Sequence, residues 1–193
     1  LQDTILNEPE TYRPNYIKDT VKYSVEELKK VIDLKHDMIE VLRHGNMEMV
    51  KEQRGTCWLA DDDLTFEYSG KSMIPNKIPS LIGEIKKQIE EDFGIEFSGI
   101  LVNYYPDGKS SMGYHSDPIE DKWDNKFIIL SFGDTRNFIF REKENKEHKF
   151  PYEFKNGDLI YMFDDCQDKY EHSVRKNKTE GIERISLVFK KRI

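Results

Sequence analysis

His115 and Asp117 stand two residues apart, His172 lies far downstream, and Arg184 follows twelve residues after it. Two imidazoles and one carboxylate form a donor set suited to iron(II). Three ligands on one face of the ion leave the other positions open for a co-substrate and dioxygen, O2. On a strand, the i, i+2 spacing of His115 and Asp117 sends both side chains from one face. Pro118 cannot donate to a sheet ladder and suits the point where such a strand stops. A His-x-Asp pair alone is a weak signal, because a lone His is more often structural than a ligand. The residues around it have to carry the rest.

The segment Arg184-Ile185-Ser186-Leu187-Val188-Phe189-Lys190 alternates with period two. Ile185, Leu187 and Phe189 fall on one face; Arg184, Ser186 and Lys190 fall on the other. If the polar face lines an interior, its two cations make a site for an anion. Taken on this strand alone, a solvated polar face is the default reading. Leu101, Asn103 and Tyr105 likewise share a face, which presents an amide and a phenol together.

The elements that must position these groups change character along the chain. Ser24 and Glu27 have the spacing of a capping box, with Leu28, Val31 and Ile32 behind them at helical spacing. A second helix is predicted over 80–92, with Leu81, Ile82, Ile85 and Ile89 on one side and Gly94 as its stop. From Ile100 onward the pattern is short apolar strands, predicted over 100–105, 127–132, 137–141, 158–163, 170–175 and 184–190. Turn residues separate them, as in Pro106-Asp107-Gly108 and Asn156-Gly157-Asp158. Many short strands without intervening helices predict a sandwich or barrel. The predicted fold is α+β, mainly β, with N-terminal helices packed on a jelly roll. One domain is expected over 1–193, helical to about 98 and jelly roll from about 99.

With 193 residues, 37% hydrophobic and 12% aromatic, the chain can bury a core of ordinary size. It holds no apolar run of about 20 residues, so no membrane-spanning helix is expected. Cys57 and Cys166 are too few for a disulfide framework and match no zinc spacing, which points to an intracellular, reducing compartment. The single alanine, Ala60, beside abundant Lys, Asn, Ile and Asp, suggests an AT-rich coding genome, as in some large DNA viruses and protists. A net charge of −7 argues against a simple nucleic-acid binder. Yet from Lys169 to the end there are eight basic residues against three acids, and a local basic face can coexist with an acidic total.

These pieces together resemble one family. The stretch from about Arg54 to Phe189 is similar to the AlkB family of iron(II)/2-oxoglutarate dioxygenases, which demethylate nucleic acids. The resemblance rests on Asn103-Tyr104-Tyr105-Pro106-Asp107-Gly108, His115-Ser116-Asp117, and Ser131-Phe132-Gly133 leading into Arg136-Asn137-Phe138-Ile139-Phe140-Arg141. It continues through Gly157-Asp158-Leu159-Ile160-Tyr161-Met162, then Gln167, Tyr170 and His172, to Arg184-Ile185-Ser186-Leu187-Val188-Phe189. Each motif is weak; their order and spacing together are specific.

The resemblance implies a double-stranded β-helix core. It implies Fe(II) on His115, Asp117 and His172, with 2-oxoglutarate and O2 as co-substrates. It implies that Arg184 pairs with the far carboxylate of 2-oxoglutarate, supported by Tyr105 and Ser186, with Asn103 near the metal end. Where the family has a second Arg, this chain has Lys190, which keeps the charge and loses the fork. Leu64-Thr65-Phe66-Glu67-Tyr68-Ser69-Gly70 resembles the family's nucleotide-recognition lid. Phe66 and Tyr68 then stack on an extruded base, or else they are core aromatics of a small hairpin. Many relatives place a substrate-contacting acid two residues after the metal Asp; here that residue is Ile119, and Glu120 stands in as the candidate.

The implied function is oxidative demethylation of N-alkylated bases in DNA or RNA, such as 1-methyladenine and 3-methylcytosine. The expected partner is methylated nucleic acid, single-stranded or weakly paired, met by a monomeric protein with no membrane association. The alternatives are a same-fold oxygenase acting on a protein or small metabolite, and a weakly catalytic nucleic-acid-binding module.

Overall fold

Ser24 caps the first helix, α1 (Val25–Val31), its Oγ accepting from the Glu27 amide at 3.2 Å. Only half of the reciprocal box forms, because the Glu27 carboxylate pairs with Lys30 at 2.8 Å. The second helix, α2 (Ser80–Phe93), buries Ile82, Ile85 and Ile89. Gly94 ends it in the left-handed region at φ 66°, where its N–H reaches the Glu90 carbonyl. The computed structural model describes residues 10–35, 38–51, 54–68, 70–119, 122–178 and 180–193.

In chain order the strands before α2 are β1 (Glu10–Arg13), β2 (Met38–Arg43), β3 (Asn46–Lys51), β4 (Gly55–Leu59), β5 (Phe66–Tyr68) and β6 (Lys71–Met73). After it come β7 (Gly99–Tyr105), β8 (Met112–His115), β9 (Trp123–Gly133) and β10 (Arg136–Glu142). Then follow β11 (Lys149–Phe154), β12 (Leu159–Met162), the single-turn α3 (Cys166–Lys169), β13 (Tyr170–Val174) and β14 (Arg184–Arg192). A six-stranded sheet runs β1-β12-β9-β14-β7-β4 and a four-stranded sheet runs β11-β10-β13-β8, all antiparallel. The pairs β2-β3 and β5-β6 stand apart as hairpins. This is the mainly β, jelly-roll architecture the sequence predicts, and all six predicted strands are present. The N-terminal part is less helical than predicted. It sends β1 and β4 into the two edges of the large sheet, so the expected division near residue 98 falls inside one sheet.

Two apolar clusters share the large sheet between them. Ile185, Leu187 and Phe189 of β14 pack with Leu130, Val102 and the Ile82–Ile85–Ile89 stripe of α2. On the other face Val188, Ile129 and Met162 meet Phe138, Phe140 and Phe154 of the small sheet. Truncating a fully buried Leu such as Leu187 costs about 2–5 kcal/mol in such a core. Because α2 covers the apolar face of β14, its polar face turns inward between the sheets. Arg184 is 1% exposed, Ser186 3% and Lys190 0%. The default solvated reading of that face is therefore corrected: the polar positions line the interior.

The first described residues are tied down by polar bonds. The Asp158 carboxylate accepts from the Tyr12 hydroxyl and, at 2.8 Å, from the Asn15 amide. The Ile17 amide donates to the Gly157 carbonyl at 2.9 Å. Gly157 holds φ 86°, and an added methyl there would run into the Ile17 carbonyl, so the turn requires glycine.

Candidate active site

A cavity of about 430 Å³ opens between the two sheets. One wall is metal-directed. His115 closes β8 and His172 sits directly opposite it on β13, their ring centres 4.3 Å apart. Asp117 completes the group, and one ligand-type atom from each of the three lies within 4.8 Å of the others. Asp117 is not on a strand, contrary to the i, i+2 expectation: β8 stops at His115. The loop is set by side-chain bonds instead. Ser116 Oγ donates to the Tyr170 carbonyl at 2.7 Å, and the Asp117 amide donates to Gln167 Oε1 at 2.8 Å. Gln167 is itself held by its Nε2 contact with Met162 Sδ at 3.4 Å.

The protonation states suit a cation. His115 Nδ1 lies 2.8 Å from the Gly113 carbonyl, which can only accept, so Nδ1 carries the proton and Nε2 is left free. Burial pushes His172 down to about 3, helped by the neighbouring His115, so its imidazole is neutral. Burial alone would raise the Asp117 carboxyl, but the neighbouring cation, above all the Lys190 ammonium, outweighs it and holds it at about 2. Its Oδ1 faces Lys190 Nζ at 3.4 Å, while its Oδ2 is buried without a hydrogen-bond partner. A neutral imidazole at His172, a His115 ring that offers its Nε2, and an ionised carboxylate with one idle oxygen fit iron(II).

The opposite wall is anion-directed and built by register. Arg184 pairs with Tyr105, and Ser186 with Asn103, across β14 and β7. All four line the cavity. Arg184 donates its Nε to Ser131 Oγ at 2.9 Å. Its two terminal nitrogens are buried with no acceptor at bonding geometry, and the Tyr105 ring centre lies 5.0 Å away. A buried guanidinium fork left unpaired is costly unless an anion joins it. A carboxylate fits it in kind and in shape, which is the fit 2-oxoglutarate requires.

Other predicted residues fare differently. Lys190 is brought to the metal wall and not to the Arg184 fork. Its ammonium faces Asp117, 5.1 Å from the Phe66 ring centre and 4.7 Å from that of Phe127. Phe66 is a core aromatic, 2% exposed and stacked on Trp58 at 4.9 Å, that also lines the cavity. Trp58 is fixed in turn by Nε1 donating to the Leu64 carbonyl at 2.8 Å. Tyr68 pairs with Lys71 across the β5–β6 hairpin. Ile119 packs against the inner core, and Glu120 lies outside the described residues. Three contributors went unassigned in the sequence. Gln167 stood in a matching motif without a role; Phe138 stacks on the His172 ring at 5.2 Å; Arg54 lines the cavity just before β4. No spacing rule marks such supporting residues, because their partners are distant in the chain.

Residues 11–190 match the model of the 2OG-Fe(II) oxygenase superfamily. The chain is 41% identical over 142 residues to an uncharacterised protein of Acanthamoeba polyphaga mimivirus, covering 73% of this chain and 74% of that one. It is 31% identical over 150 residues to alpha-ketoglutarate-dependent dioxygenase alkB homolog 3 of Rattus norvegicus, covering 72% of this chain and 50% of the relative. It is 27% identical over 155 residues to the DNA oxidative demethylase ALKBH2 of Mus musculus, covering 76% of this chain and 64% of the relative. The chain thus spans about half the length of the alkB homolog 3 proteins it matches. Among solved structures, that of OsALKBH1 superposes with a TM-score of 0.68 at 16% identity, over 97% of this chain and 100% of that one, a likeness of fold.

Proposed function

The chain belongs to the 2OG-Fe(II) oxygenase superfamily, as an AlkB-like dioxygenase using Fe(II), 2-oxoglutarate and O2, and from that premise we propose that it oxidatively demethylates N-alkylated bases of DNA or RNA. The observation that carries the reading is one cavity with the His115–Asp117–His172 cluster on one wall and the unpaired Arg184 fork on the other. In this reading His115 Nε2, His172 and the Asp117 carboxylate hold the iron. Arg184 takes the far carboxylate of 2-oxoglutarate, Tyr105 and Ser186 line its path, and Asn103 stands beside them. Lys190 keeps Asp117 ionised and oriented through Oδ1. When bound, the metal and co-substrates supply an oxidation that couples decarboxylation of the 2-oxo acid to hydroxylation of a methyl group. A hydroxymethyl on a ring nitrogen then releases formaldehyde and leaves the unmodified base.

The residues of this chain have three tasks: orienting the two acids, excluding water, and admitting one flat ring. A methyl on a base edge is unreachable inside a duplex, so the base must be extruded, at a cost of a few kcal/mol that a single strand avoids. Single-stranded or weakly paired substrates carrying 1-methyladenine or 3-methylcytosine are therefore proposed, met by a monomer. Among the described residues no helix is long and apolar enough to cross a membrane.

The test is a panel of methylated oligonucleotides incubated with Fe(II), ascorbate and 2-oxoglutarate, read by nucleoside mass spectrometry. Loss of the methyl mark with release of formaldehyde is expected, single strands outpacing matched duplexes, and none in His172→Ala. Turnover of 2-oxoglutarate with no methylated nucleic acid consumed would move the substrate to a protein or small metabolite.

A further inference from the structure

Arg54 is a cavity-lining cation that the metal and co-substrate roles leave unused. It immediately precedes β4, whose first residue Gly55 pairs with Tyr104, next to the Tyr105 that adjoins Arg184. It is half-buried, where Arg184 is fully buried, so part of it reaches solvent while it lines the cavity. Its Nε is buried without a hydrogen-bond partner, and among the described residues no carboxylate pairs with it. The charges around the cavity sharpen the point. Among the described residues Asp117 is the acid of the lining, and Lys190 already faces it. Arg184 answers one carboxylate of a co-substrate. That leaves Arg54, among the described residues, as a cation with nothing of its own to neutralise, in a protein whose net charge is −7.

We propose that Arg54 binds a phosphate of the strand that carries the target base, and so makes the site select a nucleotide within a chain over a free nucleobase or nucleoside. This rests on the nucleic-acid reading above and deepens it. A guanidinium matches a phosphate bidentately, and its bonds to an anion are about twice as strong as neutral ones. A partly solvent-exposed cation in the lining can hold the backbone while the base passes inward to the metal wall. Its partial exposure keeps the desolvation cost below that of Arg184. Removing it orphans no partner, so an Arg54→Gln variant is expected to fold.

The test compares two single-stranded oligonucleotides bearing one 1-methyladenine. One has ordinary phosphodiesters; the other has neutral methylphosphonates on both sides of the target. Binding is read by fluorescence anisotropy with Mn(II) and 2-oxoglutarate in the absence of oxygen, and turnover is read separately. The wild-type protein should bind the charged strand more tightly. Arg54→Gln should weaken it by about ten- to a hundredfold, erase the preference, and leave the neutral strand and the KM for 2-oxoglutarate unchanged. Arg54→Lys should recover part of the loss. A preference that survives in Arg54→Gln would overturn the assignment, and so would a rise in the KM for 2-oxoglutarate with strand binding intact. Wild-type protein that binds neither strand would overturn it too. Binding with the charge preference but no demethylation would overturn the demethylase reading and leave the phosphate role standing.

Discussion

The two walls of the cavity reach their geometry by opposite means. On the large sheet, Arg184, Ser186, Asn103 and Tyr105 owe their places to unbroken antiparallel register along β7 and β14. On the small sheet, the pairing of β13 with β8 shifts between His172 and Val174, and Asp117 hangs from a loop that Gln167 and Ser116 hold. The regular wall can keep a rigid fork fixed for an anion of constant shape. The irregular wall places three donors around a point, which no flat strand offers from neighbouring positions. Its accuracy therefore depends on side-chain bonds, and those are separable by mutation.

The largest effect should come from the regular wall. Arg184→Met removes two charge-assisted bonds to the co-substrate, each worth about 1.5–3 kcal/mol. The KM for 2-oxoglutarate should rise by about two to four orders of magnitude at roughly 1.4 kcal/mol per tenfold. The apo protein should not suffer, because an unpaired buried charge is replaced by an apolar chain of similar length. Thermal melts with and without 2-oxoglutarate check both halves: the co-substrate should raise the Tm of wild type and not of the variant. A variant that melts far lower without co-substrate would mean that Arg184 holds the fold.

Lys190 distinguishes the walls, since it lies on β14 but works across the cavity. Lys190→Met leaves Asp117 nearly buried, 12% exposed, without its cation. Losing one partner of such a pair costs about 3 kcal/mol, the lower end for buried pairs because some exposure remains. The apo protein should melt lower, Mn(II) should restore part of the loss, and the KM for 2-oxoglutarate should move far less than in Arg184→Met. An unchanged melt with a large KM shift would return Lys190 to the co-substrate.

What could be read in the sequence follows the same division. The alternation of β14 and the shared face of Asn103 and Tyr105 were legible, because period two is a property of the strand itself. Which face was inside was not legible, since it depends on α2 covering Leu187 and Phe189 from a distant part of the chain. The identity of the metal-directed residues was legible from their types and order, but not the loop that carries Asp117. That loop answers to Gln167, fifty residues away, and nothing local marks the pairing. The same holds for Phe66, whose burial against Trp58 no hairpin pattern announces.

The smallest expected effect concerns the basic C-terminal stretch. In the sequence it offers eight cations, but the fold withdraws several. Arg184 and Lys190 are buried in the cavity walls, and Lys169 pairs with Asp165 at 2.7 Å. Arg192 lies over the Trp123 ring at 5.6 Å. Arg175, Lys176 and Lys178 remain exposed together, just after β13, where the Asn177 amide donates to the Gly108 carbonyl at 2.7 Å. If these three meet a single strand, each phosphate they neutralise contributes about −0.7 to the log–log salt slope. Their combined change to Gln should flatten the slope by about two and reduce affinity uniformly, with the preference among methylated bases intact. Anisotropy titrations of one methylated strand at several salt concentrations measure this directly. A slope that stays unchanged would place the strand on another face, and a loss of base preference would show that these cations reach beyond the backbone.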